Sequence, residues 1–234
     1  MPQAPALIGS LVASALGRRA HVLDLREPAP GFLELELRAD PPPGGWHPGH
    51  EIQFRVAPTL GRRYTVRTVN GEDAEHIGIL AATDAAGPGT AWIRRLRPRD
   101  PLTVLAGRHR PLRENGTRRL YLGDGCALGT LDASARSGQT PVVTVEVPAE
   151  SVPSLAERWP RYRFLPAAQG PGEALQSWLV RAVAEGELAD LDGALLLGHA
   201  QSIQRQRRVL IDSQVLARRA ITTRPYWADG RKGL

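Results

Sequence analysis

The chain has 234 residues, 42% of them hydrophobic, which is enough to bury a sizeable core as one large or two small domains. Its single cysteine, Cys126, excludes an internal disulfide and an all-cysteine iron–sulfur cluster, so any electron carrier here must be organic. The formal charge is +6, Lys232 is the only lysine, and the excess of arginine is spread along the chain. No nucleic-acid partner is therefore expected, and small anionic partners suit the charge.

The N-terminus, MPQAPALIGSLVASALGRR, has an apolar stretch with no basic residue before it. It predicts a short helix packed on the first domain rather than a secretion signal. No run of eighteen apolar residues occurs, so no membrane span and a cytoplasmic location are expected. GFLELELRA (Gly31 to Ala39) alternates, with Leu33, Leu35 and Leu37 on one face and Glu34, Glu36 and Arg38 on the other, as in a half-buried antiparallel strand. AHVLDLRE before it, and HEIQFRV, RYTVRTVN, EHIGILAA and DPLTVLA after it, read the same way. Six strands with one helix from about Pro88 to Leu96 predict a small antiparallel barrel.

After ENGT (Glu114 to Thr117) the rhythm changes. RRLYLGD, PVVTVEV, RYRFLP and GALLLG are short apolar strands. Helical stretches are expected at Ala127 to Arg136, Val152 to Arg158, Glu173 to Glu185 and Ser202 to Arg218. That alternation predicts a parallel sheet with right-handed crossovers. The expected organisation is thus an antiparallel β-barrel over residues 1–115 and a parallel α/β domain over 116–234.

Two segments of the barrel half carry chemistry. RRYTVR places Arg62, Tyr64, Thr65, Val66 and Arg67 on one short strand, and roughly twenty residues later GPGTAW (Gly87, Pro88, Gly89, Thr90, Ala91, Trp92) opens a helix. Alone, the first is equally an ordinary amphipathic strand and the second a plain helix start with Pro in its first turn. Together they suit a flavin dinucleotide. The ring wants hydrogen bonds along its edge, and the pyrophosphate wants an arginine and free backbone N–H groups. In the parallel domain, ligands belong at the carboxyl ends of strands. LGDGCALG, with Gly123, Asp124 and Gly125, and LLGHAQ, around His199, occupy two such ends, where a pyridine nucleotide would lie.

These segments resemble the siderophore-interacting protein family, flavoprotein ferric-siderophore reductases of the ferredoxin-reductase-like superfamily. The resemblance also takes in WHPGHEIQFRV (Trp46 to Val56), LGDGCALGTL (Leu122 to Leu131), LLLGHAQSIQRQRR (Leu195 to Arg208) and PYWADG (Pro225 to Gly230). It implies that Arg62 pairs with a phosphate of FAD, Tyr64 packs along the isoalloxazine and Thr65 bonds its edge. Backbone at Val66 and Arg67 would complete the pocket. Tyr226 and Trp227 would fold back near the cofactor.

The chain departs from the family at several places. Ala82 or Thr83 stands where the family carries a histidine, Cys126 where it has threonine, Gly129 where it has proline and His199 where it has glutamate. Cys126 is either close to a nicotinamide or a small buried residue. Arg205, Arg207 and Arg208 either grip an adenosine 2′-phosphate or form a solvated helix face. No catalytic side chain and no metal-ligand spacing among the histidines is evident. The resemblance implies an FAD-dependent reductase of an anionic ferric siderophore or chelate, with NADPH or NADH as hydride donor. The alternative is an FAD-binding electron-transfer or biosynthetic protein that takes electrons from a partner such as ferredoxin.

Overall fold

The structure is a computed structural model, and its described residues are 17–106, 118–136 and 141–230. The expected N-terminal helix and the ENGT boundary lie outside them. The chain divides into two compact units, Met1–Pro111 and Leu112–Leu234.

The first unit is a seven-stranded antiparallel sheet, β1 (Arg18–Ala29), β2 (Phe32–Ala39), β3 (Glu51–Ala57), β4 (Leu60–Thr65), β5 (Thr68–Asn70), β6 (His76–Ala82) and β7 (Pro101–Ala106), with helix α1 (Pro88–Ile93) between the last two. The strand order is β4-β3-β7-β1-β2-β6-β5. The two edges of that order, β4 and β5, are consecutive in sequence. Val66 N donates to His50 O and Arg67 N to Gly78 O, so the bent segment 60–70 pairs at one end with β3 and at the other with β6. RYTVRTVN is therefore one strand with a kink, and it closes the sheet into a six-stranded barrel, which removes its free edges.

The barrel core includes Leu35, Leu37, Ile52, Phe54, Ile77 and Ile79, all 1% exposed or less. Alternation along β2 fails at its start, where Phe32 and Glu34 of the polar face are both buried. Glu34, on the polar face by periodicity, is buried and ion-paired with buried Arg67. A period of two reports which face a residue is on, not whether a distant strand will cover that face.

The second unit contains β8 (Arg119–Asp124), α2 (Leu128–Ala135), β9 (Val142–Val147), α3 (Val152–Arg158), β10 (Arg163–Pro166), α4 (Glu173–Ala184), β11 (Gly193–His199), α5 (Ala200–Asp212) and β12 (Ile221–Trp227). Its sheet is parallel throughout, in the order β10-β9-β8-β11-β12. The order reverses direction between β8 and β11, which makes their carboxyl ends a topological switch point. Every residue of β11 is buried, as a central parallel strand covered on both faces requires.

Two expectations need correction here. The helix expected from Ser202 to Arg218 ends at Asp212, and Gln214 takes a positive φ of 57°. The following apolar residues, Leu216 and Ile221, turn back onto the sheet instead. The segment ITTRPYW, for which no strand was expected, is the edge strand β12. Its mixed polar composition hid it, because an edge strand is covered only in part.

Candidate functional site

In the barrel unit the two motif segments meet. Gly89 is buried in the first turn of α1, and a Cβ added there would lie 3.2 Å from Tyr64 Oη and 3.3 Å from Arg62 Cγ. A side chain there would press on both residues, so glycine keeps the helix start close to the strand. Helix α1 begins at extended Gly87 with no side-chain cap, and its first intrahelical bond runs from Ala91 N to Gly87 O. Pro88 has no N–H, so Gly89 and Thr90 supply the orphan amides of the first turn. Thr90 Oγ1 itself donates to Ala85 O at 2.8 Å, which holds the loop in front of the helix.

Arg62 is half-buried, and its Nη1 donates to Gly61 O at 3.0 Å. No carboxylate pairs with it among the described residues. Tyr64 leans on Phe54 at 5.7 Å, and Phe54 contacts Trp92 at 5.0 Å, so an aromatic row joins the motif strand to α1. A guanidinium with no ionic partner, two orphan amides and a half-buried tyrosine share one edge of the barrel. That donor set matches a pyrophosphate joined to a flat ring.

Other expected residues have structural duties in this unit. The Val66 side chain is in the core, and the Val66 and Arg67 amides are spent on barrel closure. Ala82 is half-buried. Thr83 is buried, and its carbonyl and hydroxyl oxygens both accept from Arg94 Nη2, at 3.2 and 3.0 Å. Arg94 thus ties the end of β6 to the end of α1. Sequence reading missed it, because nothing local links residues eleven apart across a loop.

In the parallel unit the switch point is organised by Asp124. Its carboxylate accepts from Cys126 N at 3.1 Å, His199 N at 2.9 Å and Trp227 Nε1 at 2.7 Å. It therefore joins the ends of β8, β11 and β12. Gly198 has φ of 108°, and a Cβ there would lie 2.4 Å from Asp124 Oδ2. Gly123 packs its Cα against Ala127, Leu131 and the Leu197 carbonyl, with a Cβ calculated 2.7 Å from Ala127 Cβ. Here the glycines serve close packing between strand ends and helix α2.

Burial pushes the Asp124 carboxyl up to about 6, against the opposing pull of the Trp227, His199 and Cys126 donors. The folded-state value lies above the unfolded one. Asp124 therefore favours the fold fully below about pH 4, and that contribution is lost as pH rises through about 6. The Asp124 contribution is expected to lower the melting temperature as pH rises from about 4 to 7, and Asp124→Asn is expected to remove that part of the slope. An unchanged slope in a thermal melt of the variant would refute this.

Two neighbours complete the picture. His199 is 3% exposed, packs against Trp227 with ring centroids 4.4 Å apart and planes tilted by 43°, and has Nε2 3.4 Å from Asp229 Oδ2, with neither ring nitrogen in a hydrogen bond among the described residues. Tyr226 Oη meets Thr130 Oγ1 at 2.9 Å, so both aromatics of β12 are fastened within this unit. Gly125 opens the turn into α2, and Gly129 is buried within that helix. Cys126, for which a buried place was one expectation, is exposed because its turn faces outward from the strand end.

The three arginines of α5 do not share a role. Arg205 Nη2 donates to Pro171 O at 2.6 Å, and with Arg208 it lines a groove between α4 and α5. Arg207 points elsewhere, with a buried Nε. Sequence reading also missed Glu146, whose carboxylate accepts from Gly172 N at 2.7 Å and Leu175 N at 3.1 Å and so caps α4. Among the described residues no group of metal-ligating side chains occurs and no helix is long and apolar enough to cross a membrane.

No protein-family model and no curated protein matches this sequence. Solved structures do. The siderophore-interacting protein from Acinetobacter baumannii superposes with a TM-score of 0.73 at 16% identity, over 92% of this chain and 91% of that one. The chain has the fold of the siderophore-interacting proteins. A second such protein, SipS from Aeromonas hydrophila, gives a TM-score of 0.70 at 18% identity, covering 92% of this chain and 93% of its own. The ferredoxin reductase in carbazole 1,9a-dioxygenase gives 0.68 at 19% identity, over 90% of this chain and 68% of that one. The expected two-part fold, an antiparallel barrel and a parallel α/β sheet, is the fold observed.

Proposed function

We propose that this protein is an FAD-dependent oxidoreductase that passes electrons from NADPH or NADH to ferric iron held in a siderophore or another anionic chelate. The observation that supports the reading most is the packing of the α1 start on β4, where a Cβ on Gly89 would lie 3.2 Å from Tyr64 Oη and 3.3 Å from Arg62 Cγ, so that an arginine and two orphan amides are neighbours. The fold is shared with structures described as siderophore-interacting proteins and as a ferredoxin reductase, one of the latter in an FAD apo form.

In this reading Arg62 neutralises a phosphate while Gly89 and Thr90 donate their amides to it. Tyr64 flanks the ring, and Thr65, on the same strand, faces its edge. A bound FAD would supply the exchange between a two-electron hydride donor and two one-electron ferric acceptors. Reduction frees the metal because hard oxygen ligands hold Fe(III) far better than Fe(II). The protein then needs no iron ligand of its own, and its positive charge draws an anionic chelate.

The cofactor is tested by releasing it with heat and separating it by chromatography. One FAD per chain is expected, because the cradle is built for a pyrophosphate that FMN lacks. FMN, or no flavin after reconstitution, would overturn the reading.

A second reading has one observation behind it. The Asp124 carboxylate lies at the switch point and already occupies the His199 and Cys126 amides, where a nucleotide phosphate would seek donors. This favours a flavin electron-transfer or biosynthetic protein that takes its electrons from another protein. Anaerobic NADPH and NADH decide between the two. Bleaching of the flavin band by either supports the reductase, and bleaching by a chemical reductant alone supports the alternative.

A further inference from the structure

Among the described residues of the barrel unit, the segment 94–99 carries a run of charge that no acid balances. Arg94, Arg95, Arg97 and Arg99 are all exposed. Elsewhere on the barrel Arg26 pairs with Asp24, Arg38 with Glu75 and Arg63 with Glu51. Among the described residues none of the four makes an ion pair. The neighbouring acid, Asp100, turns its carboxylate inward to accept Arg97 N at 2.8 Å. Arg94 is engaged with Thr83, and Arg97 Nη1 with the carbonyls of Arg94 and Leu96. Arg95 and Arg99 make no side-chain hydrogen bond among the described residues.

The segment is rigid. Asp100 N donates to Arg97 O, Arg99 N to Val22 O and Val22 N to Asp100 O, all within 3.1 Å, so the turn is sewn to β1. Arg99 sits at φ of 75°, a conformation that glycine adopts freely and a long side chain does not. An arginine kept there at a cost to the fold points to a use for its charge. Next to the sewn residue is Leu23, 41% exposed, at a register shift in β1 between Val22 and Asp24. It is one of two large hydrophobic side chains exposed among the described residues; the other, Val180, is in the second unit.

We propose that Leu23 and the 94–99 turn form the docking face for an acidic electron-carrier protein. The electron exchange rests on the flavin reading above; the binding does not. Arginine forks suit surface carboxylates, and an exposed leucine beside them supplies the apolar anchor of a protein interface. A nucleic acid would use the arginines and leave the leucine idle. A small chelate would need neither a flat rigid turn nor an apolar neighbour. Helix rise makes the six residues of α1 only about 9 Å long, so the turn at its end adjoins the cradle at its start within the same unit.

The test uses the full flavin-loaded chain and an acidic [2Fe–2S] ferredoxin as probe, titrated by calorimetry at low salt. Arg95→Glu with Arg99→Glu is expected to raise Kd at least about tenfold, with the gap closing near 0.5 M salt. Leu23→Ser is expected to weaken binding several-fold. Arg99→Gly is expected to raise the melting temperature by about 2–4 °C while weakening binding, a combination that a merely structural arginine would not show. Unchanged affinity in the double variant, no binding by the wild type, or binding only to single-stranded RNA or anionic vesicles would overturn the proposal. A colourless protein that still binds ferredoxin through these arginines would overturn the flavin reading and leave the docking face standing.

Discussion

Gly198→Ala is expected to destabilise the parallel unit by at least about 3 kcal/mol. Its φ of 108° lies where a Cβ is penalised, at roughly 1–2 kcal/mol. The new methyl would also lie 2.4 Å from Asp124 Oδ2. That carboxylate cannot simply move, because it holds donors from three segments, Cys126 N, His199 N and Trp227 Nε1. Releasing the part-buried His199 or Trp227 donor leaves it without its acceptor, at about 1–3 kcal/mol. Gly186→Ala is the control. Its φ is similar in sign at 74°, but nothing lies within 4 Å of its Cβ position. Only the backbone penalty applies there, and about 1 kcal/mol is expected. Chemical denaturation measures both. Equal losses at the two positions would show that the Asp124 contact does not matter.

Arg62→Ala is expected to weaken FAD binding by about 1.5–3 kcal/mol, the range for a charge-assisted hydrogen bond to phosphate, or roughly tenfold to more than a hundredfold in Kd. Stability should change little, since the only bond Arg62 gives up within the described residues is to its neighbour Gly61 O. Arg63, adjacent but exposed and paired with Glu51 at 3.3 Å, provides the comparison. An exposed pair of that kind contributes under about 1 kcal/mol, so Arg63→Ala should leave flavin affinity nearly unchanged. Fluorescence quenching during FAD titration of apo-protein reads both. Equal effects would mean that general positive charge, not the cradle, governs binding.

Local order in the sequence was enough for the two-part architecture. Alternation in GFLELELRA and short apolar runs separated by amphipathic helices are properties of neighbouring residues, and the fold follows them closely. The kink at Val66 and Arg67 was not visible, because a strand that changes partners midway keeps the same composition. β12 was missed for a related reason. Thr222, Thr223 and Arg224 are half-exposed, so no apolar pattern marks the strand, and only pairing with β11 reveals it.

The site divides in the same way. The residue types needed for a dinucleotide, an arginine, a tyrosine and a Gly-Pro-Gly helix start, stood in the sequence in plain order. That Gly89 touches Tyr64 and Arg62, that Thr83 serves Arg94, and that Glu34 neutralises Arg67 are facts of contact between distant segments. The second unit shows this most sharply. By sequence Asp124 was a member of a glycine turn awaiting a nucleotide, whereas in the fold its carboxylate ties three strand ends together. A sequence names the donors and acceptors a chain owns. Tertiary structure decides which are already satisfied by the chain, and so which remain for a ligand.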